Sequence, residues 1–434
     1  MVILKSSSPL KSTVWLIAEK LVSMLFTLSV MLVIARHLGP EQFGQLSYLV
    51  AIVGLLAPFS AMGLNAIVTR ELVNRPQDND IILGSALAIR FVGAVVSTFI
   101  VVTTMQWYVD TDLQSPFVYL LVASLFSALL LFDYWLQAHV ASRYAVKARM
   151  LVLVLLSVAR FVAVYLDAPL EVFIWLAGAE LALTGLAFAI VYAIKGAGLR
   201  RLTVNLAEAS SLMKQSWWLI LSGVAAIIYL KLDQVMLGQL STDEQVGIYA
   251  VAARLSEVWY FFPIALVNSF FPKLLILRKE ESARYVTQLQ KLNDMLFLSA
   301  FLVAIAVLVL GDWLIVLLFG KAYLLSGEVL IIHIWAGIFI FMRALLSKWL
   351  LAEDLLQFSL ITQIAGAAFN VLLNWLLIPS HGATGAAIAT VVSYAAASYL
   401  ALLLNRKTWP MAMIMTKSMV LPIRALIQGK NLYR

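Results

Sequence analysis

The sequence contains no cysteine and few charged residues. The absence of cysteine among the 434 residues excludes disulfide bonds and thiolate metal sites. Only 12% of the residues are charged, whereas 63% are hydrophobic. A soluble domain carries about 25% charged residues, because its surface has to be covered with polar groups. The sequence therefore predicts a protein whose surroundings are partly lipid.

Signals for common enzymatic chemistry are also missing. The four histidines lie in separate segments without the spacing of metal ligands. No G-x-x-x-x-G-K-[ST] phosphate loop occurs, which excludes ATP hydrolysis by that motif. We therefore expect a protein that is not an enzyme and that uses no cofactor. The net charge of +8 is spread over many short loops, so we expect no nucleic acid as a partner.

Long apolar runs separated by short polar breaks fill most of the chain. An α-helix needs roughly 20 residues to cross a hydrocarbon core of about 30 Å. Runs of this length also exclude a membrane β-barrel, whose strands alternate in hydrophobicity. The first run follows Lys5 and Lys11 and is too long for a cleavable signal peptide, so we expect it to be a span. The predicted transmembrane helices, twelve in number, are 13–35, 46–66, 81–105, 117–138, 150–167, 170–194, 215–238, 248–270, 293–319, 328–350, 357–378 and 384–405.

Basic residues mark one side of this predicted membrane protein. The loops of the opposite side contain Arg36 and Lys321 but are otherwise acidic, with residues such as Asp110 and Glu244. Loops rich in Lys and Arg face the cytoplasm. We therefore expect both termini in the cytoplasm. The basic loops contain Arg70, Arg75, Arg143, Lys147, Arg149, Lys195, Arg200, Arg201, Lys214, Lys273, Arg278, Lys279, Arg284 and Lys291.

The two halves of the sequence resemble each other. Glu41-Gln42-Phe43-Gly44 recurs as Glu244-Gln245-Val246-Gly247. At the same offset, four further residues are identical in the two halves: Lys11, Trp15, Leu16 and Ile17 match Lys214, Trp218, Leu219 and Ile220. A common turn sequence ending in glycine is the alternative explanation. Six spans per half make the repeats parallel. This predicts an all-α membrane protein with two six-helix bundles, related by a pseudo-two-fold axis along the membrane normal.

The repeat divides the chain into three expected parts. Residues 1–200 form the N-terminal six-helix bundle, residues 201–407 form the C-terminal one, and 408–434 form a basic cytoplasmic tail. The tail contains several methionines, interrupted by Lys417 and Arg424. We expect it to lie on the inner leaflet, with a disordered tail as the alternative.

Charged residues inside the predicted spans are the candidates for functional sites. A charge at the centre of a span costs at least about 2.5–3.5 kcal/mol, so it should face a water-filled cavity or an opposite charge. Arginine suits phosphate, because its guanidinium donates two parallel hydrogen bonds. Structural ion pairs, or side chains that reach the interface, are the alternative. The candidate substrate-binding residues are Arg90, Arg160, Arg343 and Arg254.

Arg254 differs from the other three arginines, which have no acidic residue nearby in the sequence. Arg254 and Glu257 are three residues apart and should share a helix face. Asp233, in the preceding span, is expected to pair with Arg254 across helices. The candidate ion-coupling residues are Asp233, Glu257 and Glu180, with a structural role as the alternative for each.

Several stretches resemble the Wzx-type O-antigen flippases of polysaccharide biosynthesis. The segment from Ala35 to Gly44 is similar to the first outer loop of that family. Further similar stretches run from Leu232 to Gly238, Val246 to Tyr249, Ala252 to Leu255, Phe319 to Tyr323 and Asn370 to Gly385. These flippases belong to the multidrug/oligosaccharidyl-lipid/polysaccharide exporter superfamily.

The resemblance implies a fold of two bundles that rock between inward-open and outward-open states. It also implies a substrate, an undecaprenyl-diphosphate-linked oligosaccharide, and a location in the bacterial inner membrane. The flipped units would serve O-antigen or exopolysaccharide assembly. A proton or sodium gradient, membrane lipid and a polysaccharide polymerase are the expected partners.

Two other transport functions fit the same sequence. An ion-coupled multidrug exporter of the superfamily would share the fold, but its cavity usually binds cations and should be acidic. A peptidoglycan-precursor lipid flippase would share the substrate class, but it usually carries two further helices. A non-transport membrane scaffold fits poorly with so many charges inside the spans.

Overall fold

The computed structural model describes residues 9–196, 198–421 and 424, and this part of the chain contains α-helices and 3₁₀ helices but no β-strand. The chain ends, for which we predict a cytoplasmic location, lie outside the described residues. The α-helices are α1 Pro9–Ala61, α2 Asn65–Asn74, α3 Asn79–Thr104, α4 Thr111–Ser124, α5 Leu131–Ala138, α6 Ser142–Tyr165, α7 Leu170–Lys195, α8 Leu206–Leu240, α9 Asp243–Glu257, α10 Phe261–Glu280, α11 Ser282–Phe319, α12 Leu324–His333, α13 Ala336–Ala352, α14 Leu356–Ser398 and α15 Trp409–Met419. The 3₁₀ helices are Pro76–Asp78, Met105–Trp107, Leu125–Leu130, Leu199–Arg201, Val258–Tyr260, Lys321–Tyr323, Leu400–Leu404 and Arg406–Thr408.

The helices α1 and α14 are each too long for a single span. They contain 53 and 43 residues, whereas roughly 20 residues cross the hydrocarbon core. Each is broken by a glycine with a positive φ angle, Gly39 at 72° and Gly382 at 52°. Glycine adopts this conformation without steric cost. Each helix therefore consists of two arms that meet at a sharp turn.

The number of candidate spans depends on how bent helices are counted. Among the described residues, eight helical segments are long and apolar enough to cross a membrane, and two bent pairs raise the number to ten. The two segments that contain the glycine turns, Val22–Asn74 and Gln357–Leu404, hold two arms each. Counting those arms separately gives twelve. The prediction of an all-helical, multi-pass membrane protein is confirmed.

The chain divides into two compact units, Met1–Val235 and Met236–Arg434. The first unit extends beyond residue 200, where the repeat ends, because the start of α8 is fastened to it. The guanidinium of Arg75 donates two hydrogen bonds to Glu208, at 2.6 and 3.1 Å. This bonding by Glu208 raises the pKa of the Arg75 guanidinium. Asn205 and Ser85 also bond to each other, through the backbone amide and carbonyl of Asn205.

The E-Q-x-G copies occupy corresponding places in the two units. Glu41 follows the turn at Gly39 and lies near the start of the second arm of α1. Glu244 lies in the first turn of α9, where the side chain of Thr242 caps the helix by accepting from the backbone amide of Gln245. Each copy therefore begins the second span of its half, as the repeat predicts.

In each unit, the turn near the E-Q-x-G copy contacts the turn before the sixth span of that half. In the first unit, a ring nitrogen of His37 lies 2.9 Å from the carbonyl oxygen of Ala168. In the second unit, the amide oxygen of Gln245 accepts from the backbone N–H of Ala383 at 2.9 Å. Both contacts tie the first helical hairpin of a half to its third.

The predicted tail is partly a packed helix. Met411 and Met415 of α15 are fully buried, and they belong to an apolar cluster with residues of α11 and α13. For residues 409–419, the alternative of a disordered tail is therefore wrong, and the expected location on the inner leaflet stays a prediction. Apolar side chains at helical spacing pack against the protein, and the exposed side carries Lys417.

Candidate functional site

Arg160 forms an ion pair within the hairpin of α6 and α7. These helices are joined by a tight turn, in which Asp167 has a φ angle of 53°. The turn brings Glu180 against Arg160, and the guanidinium donates to its carboxylate at 2.6 Å. Sequence analysis found no acidic residue near Arg160, because its partner lies twenty residues later, on the adjacent helix. The Glu180 side chain is 43% exposed and that of Arg160 is 13% exposed, so the pair opens toward the surface of the unit through Glu180.

Arg90 is enclosed inside the first unit. It is only 2% exposed, and it donates to the hydroxyl of Tyr134 and the carbonyl oxygen of Ser127, both at 2.7 Å. Ser127 belongs to the 3₁₀ stretch between α4 and α5, whose carbonyls lack regular α-helical partners. Sequence analysis found no acidic residue near Arg90, and the partners that the structure shows are a hydroxyl and a carbonyl oxygen. Its side chain fastens α3 to the break in the fourth span.

Arg343 of α13 makes similar contacts in the second unit. It donates to the carbonyl oxygen of Ala397 at 2.8 Å, near the end of α14. Its other terminal nitrogen lies 3.4 Å from the hydroxyl of Thr362 and 3.5 Å from the carbonyl oxygen of Ser359. The guanidinium thus joins α13 to both ends of α14.

Arg254 is the most exposed of the four candidate arginines. Its side chain is 45% exposed, and its guanidinium lies 3.7 Å from the carboxylate of Glu257, which is 23% exposed. The predicted shared face of these two residues is confirmed. The separation is longer than a hydrogen bond, so the two charges attract without a fixed donor geometry.

Asp233 lies in α8 and is 3% exposed. Its predicted pairing with Arg254 stays a prediction. Two residues earlier, the aliphatic stem of Lys231 packs beside Gly54 of α1, where an added Cβ would lie 3.6 Å from the Lys231 stem. The structure therefore places two charged side chains in the same stretch of α8, each packed within the protein.

Each arm of α14 carries a pair of buried polar side chains. Asn370 and Asn374 are fully buried, and the amide of Asn374 donates to the side-chain oxygen of Asn370 at 3.1 Å. On the second arm, the hydroxyl of Thr390 lies 3.3 Å from that of Tyr249 in α9. Sequence reasoning treated Asn370 and Asn374 only as part of a family signature. Their spacing of four residues in an apolar run was the signal that could have found this pair.

The charged groups do not form a metal centre. Among the described residues, no group of three or more His, Cys, Asp or Glu side chains could hold a metal ion. The candidate arginines are distributed over both units. Two of these arginines face a glutamate. Such groups can bind an anion and exchange an ion-pair partner, and neither step requires covalent chemistry.

Residues 10–274 match the model of a family described as polysaccharide biosynthesis protein. The matched region covers more than half of the chain. This chain belongs to the polysaccharide biosynthesis protein family. The match includes Arg90, Arg160, Glu180 and Arg254, so these charges lie within the part of the chain that is similar to the family.

One curated relative of this family member comes from the archaeon Haloferax volcanii and is named a probable low-salt glycan biosynthesis flippase, Agl15. It is 22% identical over 206 residues, which is 46% of this chain. The matched part spans 43% of the relative's length.

Several solved transporter structures are similar to this chain over nearly its whole length. The lipid II flippase MurJ, in an inward closed conformation, gives a TM-score of 0.72 at 13% identity and covers 95% of this chain and 92% of its own. An inward-facing multidrug resistance transporter of the MATE family gives 0.64 at 14% identity, with coverages of 91% and 95%. A MOP superfamily transporter from Pyrococcus furiosus gives 0.59 at 15% identity, with coverages of 95% and 97%. The chain therefore has the fold of the MOP transporters.

Proposed function

We propose that this chain translocates undecaprenyl-diphosphate-linked oligosaccharide units across a bacterial inner membrane by alternating access. The units would serve O-antigen or exopolysaccharide assembly, and a polysaccharide polymerase would receive them. The family's description and the glycan biosynthesis flippase among its relatives support this proposal. The observation that carries it is the exposure of Arg254 within a predicted span.

Arg254 lies about 9 Å along its helix from residue 248, where the predicted span begins, since each residue of an α-helix rises 1.5 Å. A half-exposed guanidinium at this depth is unstable in hydrocarbon, where a central arginine costs at least about 2.5–3.5 kcal/mol. We infer that it faces water in a path through the membrane. A diphosphate loses its hydration in hydrocarbon, and paired guanidinium donors offset that loss. The polyprenyl tail can remain in lipid throughout.

Each unit offers one arginine that is poised beside a glutamate, Arg160 beside Glu180 and Arg254 beside Glu257. We infer that the diphosphate competes with these carboxylates for the guanidinium groups. A displaced carboxylate then needs another cation, which a proton or Na⁺ can supply. Glu180 and Glu257 are therefore the first candidates for ion coupling, with Asp233 as the third.

Arg90 and Arg343 take a smaller part in this proposal. Their guanidinium donors already bond to carbonyl and hydroxyl oxygens of neighbouring helices. They would bind substrate only in a state of the transport cycle in which these bonds open.

The two other transport functions make different demands on the same residues. Unpaired carboxylates would support a multidrug exporter that binds organic cations. Glu180 and Glu257, however, both face arginines. A peptidoglycan-precursor flippase would handle the same diphosphate, so the glycan that is carried has to be identified by complementation.

Complementation of a strain that lacks its O-antigen flippase tests the proposal. We expect the wild-type chain to restore surface polysaccharide, seen by gel and silver stain, and Arg254→Glu to abolish it at equal membrane protein. Arg284→Glu is the matched control, because Arg284 is 74% exposed in the first turn of α11, beside Glu281. Restoration by Arg254→Glu would contradict the substrate role. Failure of the wild-type chain in strains of several glycan types, together with complementation of a peptidoglycan-precursor flippase defect, would favour the alternative.

A further inference from the structure

The C-terminal helix α15 presents one face to the rest of the second unit. Met411, Met415 and Ser418 recur at intervals of three or four residues, and each is fully buried. This spacing aligns side chains on one side of an α-helix. Lys417 lies on the exposed side. One face of the helix is therefore already covered by the protein.

The apolar contacts of α15 join two other helices of the unit. Met411 and Met415 belong to one buried cluster with Leu296 and Phe297 of α11 and with Leu345 of α13. Because α11 begins and α13 ends on the side of the basic loops, this cluster lies toward that side of the second unit. The helix α15 thus covers the place where α11 and α13 meet.

A buried polar group fixes the position of α15 on α11. Asp294 of α11 is 2% exposed, and its carboxylate accepts from the hydroxyl of Ser418 at 2.5 Å. Gln290 donates to the same carboxylate oxygen at 2.7 Å, and Asn293 donates to the Ser418 hydroxyl at 2.8 Å. The guanidinium of Arg424 lies 3.5 Å from Asp294. The segment that follows Asn405 thus supplies two groups to Asp294, the hydroxyl of Ser418 and the guanidinium of Arg424.

An enclosed carboxylate is stable only while its partners stay in place. Undocking of α15 would remove Ser418 and Arg424 from Asp294 together, whereas sliding by one residue would misalign the hydroxyl. Polar groups of this kind select one register among several that apolar contacts alone would allow. The docked position is therefore specified, which loose association with a membrane surface would not require.

We propose that α15 is a clamp, locked onto α11 by Asp294 and Ser418, that holds α11 against α13 and must stay docked for translocation. The last clause rests on the proposed function. The docking itself does not, so the two parts can fail separately.

Thiol labelling measures the docking directly, because the natural chain contains no cysteine. Met415→Cys places a thiol on the buried face without touching the polar lock, and Lys417→Cys places one on the exposed face. With N-ethylmaleimide in mild detergent, we expect Cys at 415 to react at least about tenfold more slowly than Cys at 417, because reaction requires local opening. Equal rates would overturn the clamp.

Asp294→Ala tests the lock, and Asp312→Ala on the same helix α11 is the matched control, since Asp312 is exposed. We expect Asp294→Ala to accelerate labelling of the thiol at 415, whereas Asp312→Ala leaves the rate unchanged. Equal effects of the two variants would show that the polar group does not hold α15.

Complementation then tests the need for docking. We expect Asp294→Ala to lose most surface polysaccharide at equal membrane protein, and Asp294→Asn, which can still accept from Ser418, to keep more of it. Normal polysaccharide from a variant whose thiol at 415 has become reactive would overturn the need for the clamp. If the wild-type chain restores no glycan while the labelling results hold, the proposed function fails and the docking stands.

Discussion

The guanidinium of Arg160 and the carboxylate of Glu180 lie 2.6 Å apart, on the two helices of one hairpin. Two charges that the sequence separates by twenty residues thus neutralise each other inside the predicted membrane region. The pair is half open, because Glu180 is 43% exposed. The two charges cancel while the pair is closed, and Glu180 is still accessible at the surface of the unit. Both features fit the proposed displacement of Glu180 by an anionic substrate.

The pair predicts a specific order of stability among variants. Arg160→Ala leaves the carboxylate of Glu180 without its partner, whereas Arg160→Ala combined with Glu180→Gln removes both charges. We expect the single variant to be the less stable, by about 1–2 kcal/mol, which is below the roughly 3–5 kcal/mol of a fully buried pair because Glu180 is partly exposed. Thermal unfolding in detergent measures the difference. A double variant that unfolds at or below the temperature of the single one would contradict it.

Arg90 should contribute chiefly to stability, because both of its contacts are made within the protein. We expect Arg90→Ala to cost more than Tyr134→Phe, which leaves the bond to the Ser127 carbonyl in place. Each buried polar group that loses its partner costs about 1–3 kcal/mol. Arg90→Ala should therefore lower both the unfolding temperature and the amount of protein in the membrane. Unchanged stability with lost transport would instead assign Arg90 to the substrate.

The orientation of the chain can be read with single cysteines. We expect a membrane-impermeant thiol reagent, added to intact spheroplasts, to label Cys at Ser115 and Ser241 and to spare Cys at Ser142 and Ser211. The reason is that the first two positions lie beside acidic loops and the other two beside basic ones. Labelling of Ser211→Cys only after permeabilisation is the internal control. The reverse pattern would place the basic loops outside.

Each unit contains one contact between its first and third helical hairpins, and these two contacts give a further test. His37→Ala removes the ring nitrogen that lies 2.9 Å from the Ala168 carbonyl, and Gln245→Ala removes the acceptor of the Ala383 amide. We expect each variant to increase protease cleavage at the outer turns of its own unit and not at those of the other. If either variant raised cleavage equally in both units, the effect of each contact would not be confined to its own unit.

Sequence reasoning predicted the membrane class well, because hydrocarbon demands long apolar helices whatever the tertiary contacts are. It placed the ends of several helices wrongly, since helices continue past the apolar run. For example, α11 begins at Ser282 rather than at 293. It also could not show that Gly39 and Gly382 join spans without a regular loop.

The candidate site was less accessible to sequence reasoning. One partner of Arg90 is a backbone carbonyl oxygen in a 3₁₀ stretch, and no side-chain pattern reveals such an oxygen. The pairing of Arg160 with Glu180 depends on how two helices pack across the turn at Asp167. The lock at Asp294 depends on contacts with a segment that follows more than a hundred residues later. By contrast, Arg254 and Glu257 lie on one helix, where spacing alone predicts the contact.

Transport by the purified protein tests whether the chain moves a polyprenyl-diphosphate oligosaccharide between leaflets. The chain is reconstituted in liposomes with a fluorescent polyprenyl-diphosphate oligosaccharide, and the fraction of substrate in the outer leaflet is followed with a membrane-impermeant quencher. We expect the wild-type chain to exchange substrate between the leaflets, and we expect no exchange by Arg254→Glu at equal incorporation. Exchange at the rate of protein-free liposomes by the wild-type chain, or equal exchange by Arg254→Glu, would contradict the proposed function.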